Sequence, residues 1–109
     1  MPLQWDEVVE GLSALPHITS DEREGAGTLS VGDQMFARDE GESMIVLCSG
    51  YEQDVLLDSG DPAVSRGPSI DGHEYVRVRY EFAEIDAEIL EIVGEGWRIA
   101  ERVAGLEPK

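Results

Sequence analysis

Ala26-Gly-Thr-Leu-Ser-Val-Gly-Asp-Gln-Met-Phe-Ala-Arg38, running through Asp39-Glu-Gly-Glu42 into Ser43-Met-Ile-Val-Leu-Cys-Ser49, decides the fold. Apolar and polar residues alternate on both sides of Val31-Gly32-Asp33-Gln34, and a second, acidic, glycine-containing turn follows. Side chains on a strand alternate between two faces, and tight turns need residues that tolerate unusual φ. A period of two broken by Gly and Asp therefore predicts antiparallel strands, here a three-stranded meander with helical segments before and after it.

Working outward, Trp5, Val8, Val9, Leu12 and Leu15 fall at helical spacing, with Asp6 and Glu7 placed to favour the helix dipole. Pro16 supplies the stop. Thr19-x-x-Glu22 mimics a capping box, but no apolar periodicity follows it, so 17–27 is expected to be a charged loop. Downstream, Ser49-Gly-Tyr-Glu52 is a capping box opening a short helix that holds Tyr51, Val55 and Leu56 or Leu57, closed by Gly60. Ala63 to Arg66 is a brief candidate strand before Gly67-Pro68. After the Asp71-Gly72 turn comes the most regular strand, with Val76, Val78, Tyr80 and Phe82 directed at the helices and Tyr75, Arg77, Arg79 and Glu81 at the open face.

Asp86 is a good N-cap for the last helix. Its apolar stripe comprises Ile85, Ile89, Ile92, Val93, Ala100, Val103 and Ala104, widened by Leu90, Trp97 and Ile99. About 20 residues of helix would span roughly 30 Å, enough to cross a sheet. Gly94 and Gly96, each costing about 1 kcal/mol relative to Ala, mark either a close-packing site or a kink. Gly105 and Pro108 end the helix. The order predicts a two-layer α+β domain: an antiparallel sheet of about five strands with N-terminal, short central and long C-terminal helices.

With 109 residues there is one domain's worth of core, and 41% hydrophobic against 29% charged residues fits a folded rather than a disordered chain. Twenty-four acidic against 8 basic residues give a net charge of -16. Such an excess repels polyanions and suits basic partners, although adaptation across an acid-rich proteome produces the same number. The single Cys48 excludes an intramolecular disulfide and fits a reducing compartment. No basic segment precedes an apolar run at the N-terminus, and Met44 to Cys48 is far short of the roughly 20 residues of a membrane span. A cytoplasmic protein with no membrane association is expected.

These residues resemble the MmcQ/YjbR-like family. Leu12-x-x-Leu15-Pro16 resembles its N-terminal helix and stop, and Leu29-Ser-Val-Gly-Asp-Gln-Met-Phe-Ala37 its hairpin. Asp61-Pro62, Pro68-x-x-x-Gly72 and Val76-Arg-Val-Arg79 follow its third block, and Gly96-Trp97-Arg-Ile-Ala100 its closing helix. The resemblance covers nearly the whole chain, residues 1–109, as one domain. It implies a fold similar to a DNA-binding "double wing" domain and to secretion chaperones and small adaptors. It also implies the DNA-binding label the family often carries. Three departures stand out. Asp33-Gln34 follows the hairpin Gly where the family often has Lys, Ser69 follows Pro68 where His is common, and the net charge is strongly acidic.

Arg77 and Arg79 are the one basic pair on a regular element, suited either to a phosphate or to cross-strand carboxylates. A phosphate-driven binder making roughly 6–10 contacts would need almost every basic residue here, and they are scattered. Cys48 with His17 or His73 is the nearest thing to a nucleophile and base, but Cys48 closes an apolar strand, where it acts as a small hydrophobe. Asp39-Glu40-x-Glu42 and Asp58-x-x-Asp61 lack the ligand spacing of a calcium loop. The reading is a non-enzymatic binding or adaptor module for a protein partner, with no catalytic, metal or cofactor residues and its contact surface around Tyr75, Arg77 and Arg79. The alternative is a DNA-binding protein, as the family label implies and the charge disfavours.

Overall fold

The computed structural model describes residues 3–23, 25–84 and 86–105. The chain runs α1 (Trp5–Gly11), β1 (Ile18–Arg23), β2 (Ala26–Val31), β3 (Gln34–Asp39), β4 (Ser43–Cys48), α2 (Gly50–Asp58), β5 (Val64–Ile70), β6 (His73–Arg79) and α3 (Ala87–Ala104). A 3-10 turn, Tyr80–Phe82, follows β6.

The turns close as their residues require. Val31 pairs with Gln34 across Gly32-Asp33, and only Gly32 takes a positive φ, 58°, which suits a two-residue hairpin with Gly at its first central position. At Asp71-Gly72 both residues are left-handed, φ 52° and 82°, the pattern that Asp-Gly favours. All six strands pair antiparallel in the order β1-β2-β3-β4-β6-β5. The chain leaves β4, passes through α2 to the far edge as β5, and returns as β6 beside β4. Both edges are blunted: β1 carries Asp21 and Glu22, and β5 carries Pro68 with an irregularity between Arg66 and Ser69.

Cross-strand partners share a face, so Leu29, Ala37, Val46 and Val76 form one fully buried row, with Val78 opposite Met44 beside it. α3 packs on this face. Asp86 caps it, accepting from Ile89 N at 2.9 Å, and Ile89, Ile92, Val93 and Ala100 point inward. Gly96 settles the question of kink or packing. A Cβ there would lie 2.9 Å from the Leu47 carbonyl oxygen and 3.1 Å from Val46 Cγ1, whereas one at Gly94 would meet nothing within 4 Å. Gly96 is where the helix backbone touches the sheet. Val8 and Leu12 extend the same core, and Trp5 covers Gly27.

Several expectations change. Residues 18–23 are a sixth strand rather than part of a loop, held to β2 by a continuous backbone ladder from Ile18↔Val31 to Arg23↔Ala26. α1 ends at Gly11, short of Pro16, and tight turns carry the chain on. β5 runs on through Gly67-Pro68. Tyr80 is buried, but Phe82 is 48% exposed because the 3-10 turn ends the alternation after Arg79. Val103 is 49% exposed at the last turn of α3. The expected roles of Ile85 and Pro108 lie outside the described residues.

Candidate functional site

The helix-free face of the sheet carries a row set by register: Thr28 opposite Arg38, Arg38 opposite Ile45, Ile45 opposite Arg77, Arg77 opposite Ser65. Two guanidiniums therefore flank one isoleucine, which they help to bury completely. Glu40, from the turn after β3, settles between them. Its Oε2 accepts from Arg38 Nη2 at 2.8 Å, and its Oε1 is ion-paired with Arg77 Nη1 at 2.9 Å. Both carboxylate oxygens are thus engaged, one by each arginine. Partly exposed pairs of this kind are worth about 0–1 kcal/mol each, so their main effect is on the field, where the single carboxylate offsets one of the two positive charges.

Of the three residues expected to form a contact surface, the structure leaves two accessible. Tyr75 is buried. Its hydroxyl donates to the Met35 carbonyl at 2.9 Å and accepts from Gln34 Nε2 at 3.4 Å. Burial first, then the charge of Asp71, raises its pKa, while the Gln34 hydrogen bond opposes the rise. Residues of the β2–β3 and β5–β6 turns line a common hollow of about 610 Å³ on this face, and Tyr75 reaches across β4 to Met35 and Gln34 there, which is why a residue pointing away from the helices is still covered. Asp33, Asp39, Glu40 and Asp71 line that hollow, with Arg38 the basic residue among them. Arg77 pairs with Glu40, and Arg79 lies 5.1 Å over the Phe82 ring.

Cys48 and the histidines do not converge. Burial, then Glu52 and Glu74, pushes the Cys48 thiol up to about 12, the reverse of what a nucleophile needs. Its Sγ donates to the Glu74 carbonyl at 3.6 Å. His17 Nδ1 lies 3.0 Å from Glu101 Oε2, whereas Cys48 sits beside Ile92, nine residues or about 13 Å back along α3. The acidic turns serve the backbone. Asp39 Oδ1 accepts from Gly41 N and the Tyr80 hydroxyl, and Asp61 Oδ1 from Ala63 N. Burial together with the Asp39 bond raises the Tyr80 pKa strongly. Among the described residues no group of three His, Cys, Asp or Glu is placed to hold a metal, and no helix is long and apolar enough to cross a membrane.

Two residues that organise these surfaces carry little signal in the sequence. Glu40 looks like one more acid in a turn until register places it between two arginines. Gln53 is 2% exposed, with Nε2 donating to the Tyr75 carbonyl at 3.0 Å and Oε1 accepting from Arg66 Nη1 at 2.7 Å. Nothing local marks it as the buried residue of α2.

The fold is similar to that of Deinococcus radiodurans protein DR2400, whose crystal structure carries the DUF419 domain. The two align with a TM-score of 0.74 at 13% identity, covering 97% of this chain and 90% of that one. This chain shares that protein's fold. The MmcQ/YjbR-like family that the residues resemble is related to DUF419, so sequence and structure meet at the level of architecture. No family model and no curated protein matches the sequence.

Proposed function

We propose that this protein is a non-enzymatic binding module that docks a basic protein partner. The observation that carries the reading is Glu40 held between Arg38 and Arg77. On the face a phosphate binder would use, Glu40 offsets one of the two central cations, and Asp33, Asp39 and Asp71 add three more carboxylates around the hollow beside them. With a net charge of -16, the long-range field favours cations and slows the approach of polyanions. The buried, proton-retaining Cys48 and the separately bonded His17 support a non-catalytic role.

Two measurements at low salt test this together. The immobilised protein should retain basic proteins from a lysate and release them as salt rises, and a labelled DNA duplex should show no mobility shift. Retention of no basic protein would count against the module. A duplex shift that weakens steeply with salt, and disappears in Arg77→Glu with Arg79→Glu, would replace it with the nucleic-acid reading.

A further inference from the structure

Helix α2 buries a glutamine and leaves two of its apolar residues at the surface. Its fully buried residue is Gln53, tied to the Tyr75 carbonyl and the Arg66 guanidinium. Tyr51 and Val55, one turn apart, are 79% and 50% exposed. The sequence places Tyr51, Val55 and Leu56 or Leu57 on one short helix; Leu56 packs against the core, while the hydrogen bonds of Gln53 hold the rotation that leaves Tyr51 and Val55 outside. They form one wall of a groove whose other wall is α3, contributing Ile92, with Cys48 at the base. The groove measures about 260 Å³, below the roughly 300–1,000 Å³ of a site for a whole small molecule. It suits one or two side chains.

Its rim is anionic throughout: Glu52 from α2, and Glu88, Glu91 and Glu95 from α3. The three on α3 are spaced three and four apart, so they stack on one side of the helix over about 10 Å. Glu95 is ion-paired with Arg98, whereas Glu88 and Glu91 make no ion pair among the described residues. Carboxylates stacked beside exposed Tyr and Val repel one another, and a cationic partner would relieve that repulsion.

We infer that this groove receives an amphipathic helix of a partner protein, with two apolar anchors about one turn apart and Lys or Arg on either side of them. The anchors cover Tyr51, Val55 and Ile92, and the flanking cations meet the glutamate rim. This is the helix-in-groove mode of recognition, with the cations adding rate and specificity more than raw affinity. A second copy docking by two-fold symmetry is a poor occupant, because it would set the same glutamates against each other. The inference rests on the binding-module reading and locates its surface.

The test uses the full chain and a fluorescein-labelled synthetic helix of Leu and Lys with leucines at i, i+4 and i+7, read by anisotropy at low salt. The comparator has the same composition scrambled so that no apolar face forms. The patterned helix should bind at least about tenfold more tightly. Val55→Asp, and separately Glu88→Lys with Glu91→Lys, should each weaken it about tenfold. Amide shifts on binding should centre on Tyr51, Val55 and Ile92, and the Val55→Asp amide spectrum otherwise shows that the fold is intact. Equal binding of both peptides, or shifts centred on the open sheet face, would overturn the groove while leaving a basic-partner module standing. Concentration-dependent dimerisation abolished by Val55→Asp would overturn it in favour of a second copy. Failure of every cationic peptide to bind would overturn both readings.

Discussion

Replacing each of the two α3 glycines with alanine should give results of opposite sign. Relative to Ala, a Gly inside a helix costs about 1 kcal/mol, so both substitutions start with the same favourable term. At Gly94 the new methyl meets nothing within 4 Å, and Gly94→Ala should stabilise by about 0.4–1 kcal/mol. At Gly96 the methyl arrives 2.9 Å from the Leu47 carbonyl oxygen, 3.1 Å from Val46 Cγ1 and 3.4 Å from the Phe36 carbonyl oxygen. Two of those atoms are backbone of adjacent strands and cannot rotate away, so α3 must lift. Overpacking of this kind costs about 1–3 kcal/mol. Because the propensity term is common to both variants, their difference isolates that cost. Urea unfolding should place Gly96→Ala about 1–3 kcal/mol below Gly94→Ala at equal m-value, and each kcal/mol should move Tm by about 4–8 °C in a domain near this size. If Gly96→Ala gained stability in step with Gly94→Ala, the helix backbone would not be touching the sheet there, and the account of the core would fail.

Helix α2 offers a second contrast. Gln53→Ala should destabilise by about 1–3 kcal/mol by leaving the Tyr75 carbonyl without its partner, while Tyr51→Ser on the same helix should stay within about 0.5 kcal/mol. Equal losses in urea titrations would mean that Tyr51 is packed. With its pKa pushed to about 12 rather than 9.0, native Cys48 should carry about 1,000-fold less thiolate at pH 8 than an ordinary thiol. Labelling by a disulfide reagent should be correspondingly slow until urea unfolds the chain. The same shift makes the unfolded state release this proton first. The Cys48 contribution to stability is therefore intact below pH 9 and declines as pH rises towards 12, and Cys48→Ala should flatten that part of the stability–pH curve.

What was legible in the sequence was local. The Gly32-Asp33 and Asp71-Gly72 turns, the Asp86 cap and the period-two runs of β2 to β4 and β6 depend on backbone conformation within a few residues. Their chemistry is written in adjacent letters. β1 was not legible, because an edge strand held by a backbone ladder needs no apolar alternation. Ile18-Thr-Ser-Asp-Glu-Arg23 offers almost none. The Leu15-Pro16 stop misled for the opposite reason: a strong local signal lay beyond the point where Gly11 had already ended α1.

For the candidate surfaces, the sequence alone determined the excess of negative charge, the side of β6 on which Arg77 and Arg79 stand, and the scatter of the remaining basic residues. Only tertiary structure decided what those charges meet. Register across three strands carries Glu40 to both Arg38 and Arg77, and contacts with the far β2–β3 hairpin bury Tyr75 on a face without helices. The rotation of α2 was settled in the same way. Its apolar positions do not share one face: Leu56 packs against the core, and two long-range hydrogen bonds from Gln53 hold the rotation that leaves Tyr51 and Val55 outside. A buried polar group left unpaired costs more than an exposed tyrosine and valine do, so the glutamine goes in and the hydrophobic pair is left at the surface.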